Sequence, residues 1–250
     1  MALFEIKDLS FSYLSSDKKI LKGLNARIEK GSFNVICGMS GSGKTTFLRL
    51  LKSSLAPNGT LTGKITFEDK PIASLSPKDA ASRIGFVMQS PERQIVTDKV
   101  WHELTFGLES IGASEELCRL RSAEVADYFG LSPFLHRDTH TLSGGQKQLL
   151  CLASVMAMEP EVLILDEPTA QLDPIAAADF LSHLSRLHRD FGTTIIISEH
   201  HLELVLPEAD TLFWLKDGML TGGSVTDAAK SLKGDRLFCA LPAVIQAGTT

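Results

Sequence analysis

Long apolar runs are missing from this 250-residue chain. Its most apolar stretch, 149–158, falls far short of the ~20 residues that a membrane-spanning helix needs. An apolar leader is missing too: Glu5, Lys7 and Asp8 stand where a signal peptide requires hydrophobic residues. The chain is therefore expected to be soluble by itself, and a membrane role has to come through a partner. Basic excess is also lacking, since 25 Lys+Arg against 30 Asp+Glu leave a net charge of −5. With no basic run, the chain is a poor candidate for binding nucleic acid, or anionic lipid unaided. Cysteine is scarce. Cys37, Cys118, Cys151 and Cys239 are widely spaced and form no CxxC pair, which excludes a disulfide framework and fits reduced, cytosolic thiols. Repeats and low-complexity segments are not visible.

What is present is an ordinary globular composition, 44% apolar and 22% charged, in a chain long enough to bury a full core. One large α/β domain, or a core with an inserted subdomain, fits that length. Residues 2–7 and 20–28 alternate like strands. Residues 34–37 form a short apolar run that meets a Gly/Ser-rich loop, and 45–53 then has helical spacing. Residues 63–67 and 84–88 read as further strands, with a helical turn at 77–82 between them. From about 98 to 158 the pattern is helical, with Phe106, Leu108, Leu117, Leu120, Val125 and Phe129 as candidate core positions. Residues 162–165 and 193–197 are continuous apolar runs, which suit parallel strands covered on both faces. Residues 175–190 between them read as a crossover helix, completing a βαβ unit. A hairpin turning at Asp217-Gly218 closes the pattern. The expected architecture is an α/β core with a mostly parallel sheet, an N-terminal antiparallel β part and a helical subdomain inserted at about 90–158.

Gly38-Met39-Ser40-Gly41-Ser42-Gly43-Lys44-Thr45 fits the phosphate-loop pattern GxxxxGK[ST], with Thr46 following. Its glycines let backbone N–H groups turn inward on a phosphate, and the helix it opens favours anions at its N-terminus. Lys44 would reach the β- and γ-phosphates, and the Thr45 hydroxyl would hold Mg²⁺. The strand 162–165 ends in Asp166 and Glu167, at the end of a parallel strand where such folds place their sites. Asp166 would hold Mg²⁺, and Glu167 would orient the attacking water. The alternative for this pair is an acidic cap on the next helix.

About a hundred residues after the phosphate loop comes Leu142-Ser143-Gly144-Gly145-Gln146. This resembles the signature motif of the ATP-binding cassette family. The order of the other elements matches as well: Tyr13, the phosphate loop, Gln89 after a strand, the signature, the acidic strand, Asp173 and His200. The resemblance implies a P-loop NTPase fold, ATP and Mg²⁺ as ligands, and ATP hydrolysis. It implies Tyr13 stacked on adenine, with Phe11 as alternative. Gln89 would sense Mg²⁺, His200 would contact the γ-phosphate, and Asp173 would speak across a dimer. Ser143, Gly144 and Gly145 open a helix and make a second anion site. In the family the two sites of one chain serve different nucleotides, held between two subunits head to tail.

Residues 86–96 and 100–108, with 156–160 and Ser198-Glu199-His200, look like the energy-coupling-factor branch. That likeness implies the ATP-hydrolysing subunit of an importer of vitamins or metal ions. It would lie peripherally on the cytoplasmic face of the membrane. Its partners would be a second ATPase subunit, in a homo- or heterodimer, an integral membrane scaffold and a substrate-binding membrane subunit. The segment 90–96 mixes Glu92, Arg93 and Gln94 with apolar Ile95 and Val96, which suits a groove for an amphipathic scaffold helix. Where the family often carries arginines after the signature, this chain has Leu149 and Ser154, so that helix lacks charges to tie it to the nucleotide core. The cassette is expected to span 1–230. The short tail 231–250, with 241–244 resembling the start of a motif cut off, suggests a shortened chain or half of a fused protein. Other readings are a cassette of another importer or exporter, or a soluble ATPase of the same fold.

Overall fold

The computed structural model describes residues 1–16 and 18–231. Cys239 and the 241–244 segment lie outside the described residues, as does the expected tail after 231. Two sheets and a set of helices make up the fold. Strands β1 (Ala2–Tyr13), β2 (Leu21–Glu29), β4 (Gly59–Phe67) and β5 (Lys70–Pro71) form an antiparallel sheet in the order β2-β1-β4-β5. The second sheet has six strands: β3 (Phe33–Cys37), β6 (Ile84–Val87), β7 (Val162–Asp166), β8 (Thr194–Ser198), β9 (Thr211–Lys216) and β10 (Met219–Ser224). Their order is β10-β9-β3-β8-β7-β6, and every pair is parallel except the β9–β10 hairpin.

The continuous apolar runs are explained by burial on both faces. In β7, Leu163 and Leu165 face one core while Val162 and Ile164 face another. In β8, Ile195 and Ile197 oppose Ile196 in the same way. The first core is closed by α5 (Gly144–Met156) and α6 (Pro174–Phe191), the second by the antiparallel sheet and α1 (Lys44–Leu50). Side chains standing on opposite faces at alternate positions make the middle of a central strand apolar on both, with buried polar residues such as Thr194, Ser198 and Asp166 at the strand ends.

The antiparallel sheet is fastened to this frame by charge as well as by apolar packing. Lys30 Nζ lies 2.8 Å from Glu161 and 3.5 Å from Glu68. Arg83, at the end of α2 (Pro77–Arg83), pairs with both acids and lies over the Phe67 ring. Burial acts against the ionised Glu161 carboxyl, but its bonds to Arg83 and Lys30 hold it below the usual range.

Helices α3 (Val100–Ser110), α4 (Glu115–Tyr128) and α5 occupy the stretch between β6 and β7. Leu108 and Phe129 are buried and Val125 half-buried, but Phe106, Leu117 and Leu120 are exposed rather than core. Helix α5 is buried almost all round from Gln148 to Met156, whereas α3 and α4 each leave part of their surface uncovered. Apolar spacing alone cannot distinguish a buried stripe from an uncovered one.

Lys52, just past α1, is largely buried, and its ammonium donates to the Ile84 carbonyl. Burial lowers its pKa from 10.5 to about 8. A lysine depressed on folding binds fewer protons than in the unfolded chain, so stability rises with pH between about 8 and 10.5. Lys52→Met should therefore flatten that rise, as read by thermal unfolding at pH 7 and pH 10.

Candidate functional site

The site forms where β3, β6, β7 and β8 end on the same edge of the parallel sheet. After β3 the chain wraps through 38–43 into α1. Gly38 is required there because a Cβ would sit 2.4 Å from the Leu215 carbonyl oxygen of β9. Gly43, the residue before α1, has φ 109°, a conformation that side-chain-bearing residues rarely adopt. A cavity of about 310 Å³ opens beside this loop, lined in part by Lys18, Lys19, Lys22, Ser40, Gly41 and Ser42. Its lysines and turn amides suit an anionic ligand.

Lys44 is 4% exposed and points back into the loop. Its Nζ donates to the carbonyls of Gly38 at 2.9 Å and Met39 at 3.4 Å. The same ammonium lies 3.1 Å from Glu167 Oε1 and 3.5 Å from His200 Nε2. Next to it, Thr45 donates its hydroxyl to Asp166 Oδ1 at 3.0 Å. Asp166 also accepts from Ser198 Oγ at 3.1 Å. Burial pushes the Asp166 carboxyl up, against the bonds from Thr45 and Ser198.

Glu167 has φ 45°, a strained backbone for a residue with a side chain. Its amide donates to Ser198 at both the carbonyl (3.1 Å) and the hydroxyl (3.0 Å), which holds that conformation. Its Oε1 is 2.8 Å from His200 Nε2, and its Oε2 accepts from Gln89 Nε2 at 3.3 Å. Four expected residues (Lys44, Gln89, Glu167 and His200) thus meet at one carboxylate.

Thr45 and Asp166 are oxygen donors side by side. That set fits Mg²⁺, which takes one or two protein oxygens and completes its shell from water and phosphate. Among the described residues, no group of three His, Cys, Asp or Glu side chains could hold a metal alone.

Tyr13 ends β1 half-buried, its hydroxyl 2.7 Å from Thr46 Oγ1 at the phosphate-loop helix. Phe11 is 1% exposed in the core, which removes it as a stacking alternative. Ser143 and Gln146 form a reciprocal cap at the start of α5, with Ser143 N donating to Gln146 Oε1 at 2.9 Å. A Cβ on Gly144 would meet nothing within 4 Å, so the signature turn presents an open surface. Asp173 is the N-cap of α6, its Oδ1 accepting from the amides of Ile175 and Ala176.

The missing arginines have a counterpart elsewhere on α5. Gln148, fully buried, donates to the Met88 carbonyl at 3.1 Å, and Lys147 pairs with Glu92 at 3.3 Å. Gln94 brackets the same turn, accepting from Met88 N at 2.8 Å and donating to the Phe86 carbonyl. Leu149 packs on the main core, and Ser154 bonds the Cys151 carbonyl within its own helix. Of the expected groove residues, Ile95 packs on the main core, whereas Val96 is 63% exposed. Ser198 and Thr169 also belong to the site, through Asp166 and Glu199, although no sequence motif marks them. The available signal for Ser198 was a hydroxyl closing an otherwise apolar strand.

The family profile described as "ABC transporter" matches residues 21–170. A putative ABC transporter ATP-binding protein of Bacillus anthracis is 44% identical over 216 residues, 86% of this chain and 39% of the relative. The chain thus spans well under half the length of that curated relative. The energy-coupling factor transporter ATP-binding protein EcfA of Methanoculleus marisnigri is 33% identical over 227 residues, 91% of this chain and 80% of the relative. Among solved structures, CbiO1 from Clostridium perfringens, part of the ABC transporter complex CbiONQ, superposes with a TM-score of 0.80. It is 30% identical, over 96% of this chain and 97% of that one. No helix among the described residues is long and apolar enough to cross a membrane. The chain belongs to the ABC transporter family, and its fold is that family's ATPase domain.

Proposed function

We propose that this chain binds and hydrolyses Mg²⁺–ATP to drive import through an energy-coupling-factor transporter. The observation that carries the chemistry is the meeting of Lys44, Gln89 and His200 on Glu167, beside the Thr45–Asp166 pair. ATP phosphates would compete with Glu167 for the Lys44 ammonium. The released carboxylate then accepts a proton from water as its oxygen bonds the γ-phosphorus. The bond to the bridging oxygen breaks, and ADP leaves as the anion. His200 would contact the γ-phosphate, and Tyr13 would stack on adenine. Thr45 and Asp166 would hold Mg²⁺, which would supply charge neutralisation of the phosphates. The branch assignment is supported by the likeness to EcfA and to CbiO1.

The open turn at Ser143 supports a head-to-tail dimer, because a second anion site on the same chain is best used by a partner's nucleotide. Asp173 would act near that junction. Val96 (63% exposed), Trp101 (44%) and Phe106 (45%) offer uncovered apolar surface around α3. This surface would receive the membrane scaffold on the cytoplasmic face of the membrane. The turn at Gln89 is tied to α5 through Glu92–Lys147 and Gln148–Met88, and α5 packs against α3.

Glu167→Gln should keep ATP binding and lose at least ~100-fold in turnover. Lys44→Ala should weaken ATP binding about 10- to 100-fold through lost charge-assisted bonds. ATPase assays and nucleotide titration check both, and parental turnover in the first or parental affinity in the second contradicts the roles. Mixed dimers test the composite site. Pairing Ser143→Arg chains with Lys44→Ala chains leaves one intact site, whereas the double mutant paired with parent damages both. Equal ATP occupancy in the two mixtures contradicts cross-chain sharing. Val96→Asp should keep ATP affinity but reduce co-purification with the membrane subunits and uptake; full retention of both contradicts the docking surface.

A further inference from the structure

His200 bonds Glu167, yet it sits on a loop beyond the end of β8, where no strand pairing fixes it. Glu199 stands immediately before it. That carboxylate is 1% exposed, and no cation pairs with it among the described residues. Burying a charge without a counter-ion is costly unless hydrogen bonds compensate. Two do. Oε2 accepts from the His200 amide at 2.8 Å, and Oε1 accepts from the Thr169 hydroxyl. Thr169 is 2% exposed and lies two residues after Glu167, in the turn closed by Ala170 N donating to the Glu167 carbonyl at 3.2 Å. The Glu199 amide donates to the Ile36 carbonyl at 3.3 Å, in the strand that leads into the phosphate loop.

One residue therefore touches the three segments that carry Lys44, Glu167 and His200. We infer that Glu199 is a positioning residue that clamps the His200 loop to the turn after Glu167, so that the imidazole is held against the carboxylate. It does not reach the reacting atoms. It acts by fixing where the His200 backbone sits, and a displacement of about 1 Å at such a group can cost about 100-fold in rate. The inference rests on the proposed roles of Glu167 and His200. Hydrogen-bond geometry is what the clamp supplies. In a glutamine at this position, the amide oxygen accepts from His200 N, and the amide nitrogen donates to Thr169 Oγ1.

The test uses the full chain with Mg²⁺–ATP and compares Glu199→Ala, Glu199→Gln, His200→Ala and the Glu199→Ala/His200→Ala double variant. Glu199→Ala is expected to lower kcat roughly 10- to 100-fold while ATP affinity stays within about threefold. Glu199→Gln is expected to recover most of that loss. The double variant is expected to be no slower than His200→Ala by more than about twofold, because groups acting through one another are not additive. Parental kcat in Glu199→Ala beside a slow His200→Ala overturns the clamp alone. So do multiplicative losses in the double variant, or equal losses in affinity and kcat. Parental kcat in His200→Ala overturns the site reading and the clamp with it. If Glu199→Ala does not fold, Thr169→Val replaces it: a smaller fall in kcat at constant affinity supports the clamp, and unchanged kcat overturns it.

Discussion

Asp166 and Ser198 are partners in the parallel register of β7 and β8, and both strands end there. The Ser198 hydroxyl donates to Asp166, while the Glu167 amide donates back to the same hydroxyl and to the Ser198 carbonyl. This knot turns the chain at φ 45° and swings the Glu167 carboxylate toward Lys44. Shifting β8 by one residue would invert its faces and put Ile197 or Glu199 where Ser198 belongs. Ile195, Ile196 and Ile197 would fill either face, so the Ser198–Asp166 bond at the strand ends is the contact that distinguishes this register.

Burial at these strand ends also makes the site electrostatically demanding. Asp166 is pushed toward its neutral form by burial and by the Glu167 charge, against the hydroxyls of Thr45 and Ser198 and the Arg49 charge. A hard cation and a polyphosphate would answer the two local needs, charge for Asp166 and a stronger anion for Lys44. The helical layer is linked to the Glu167 carboxylate. Gln89 bonds Glu167, and the backbone just before it is held by Gln94 and by Gln148 from the signature helix. That helix makes its connection through the Gln148 amide and the Lys147–Glu92 pair.

Much of this was legible in sequence because it rests on local pattern. The phosphate loop needs particular residue types at fixed spacing, and the apolar runs 162–165 and 193–197 give strands wherever both faces are covered. The strand ends moved slightly, as β8 begins at Thr194 and runs through Ser198. What pattern could not give was tertiary. Phe106, Leu117 and Leu120 have the spacing of a core stripe, yet nothing covers them within this chain's described residues. Ile95 and Val96 looked equivalent, but one packs on the core and the other faces out. Ser198 and Thr169 acquire meaning only through contacts about 30 residues away, with Asp166 and Glu199.

The central claim is that Lys44 and its surroundings form a polyphosphate grip and that the Lys44–Glu167 pair is not merely a structural ion pair. Calorimetric titration of the full chain with ATP, ADP and AMP, each with and without Mg²⁺, tests it most directly. The account predicts that ATP and ADP bind far more tightly than AMP, and that Mg²⁺ strengthens ATP binding. Equal affinity for AMP and ATP, or ATP binding that ignores Mg²⁺, would contradict it.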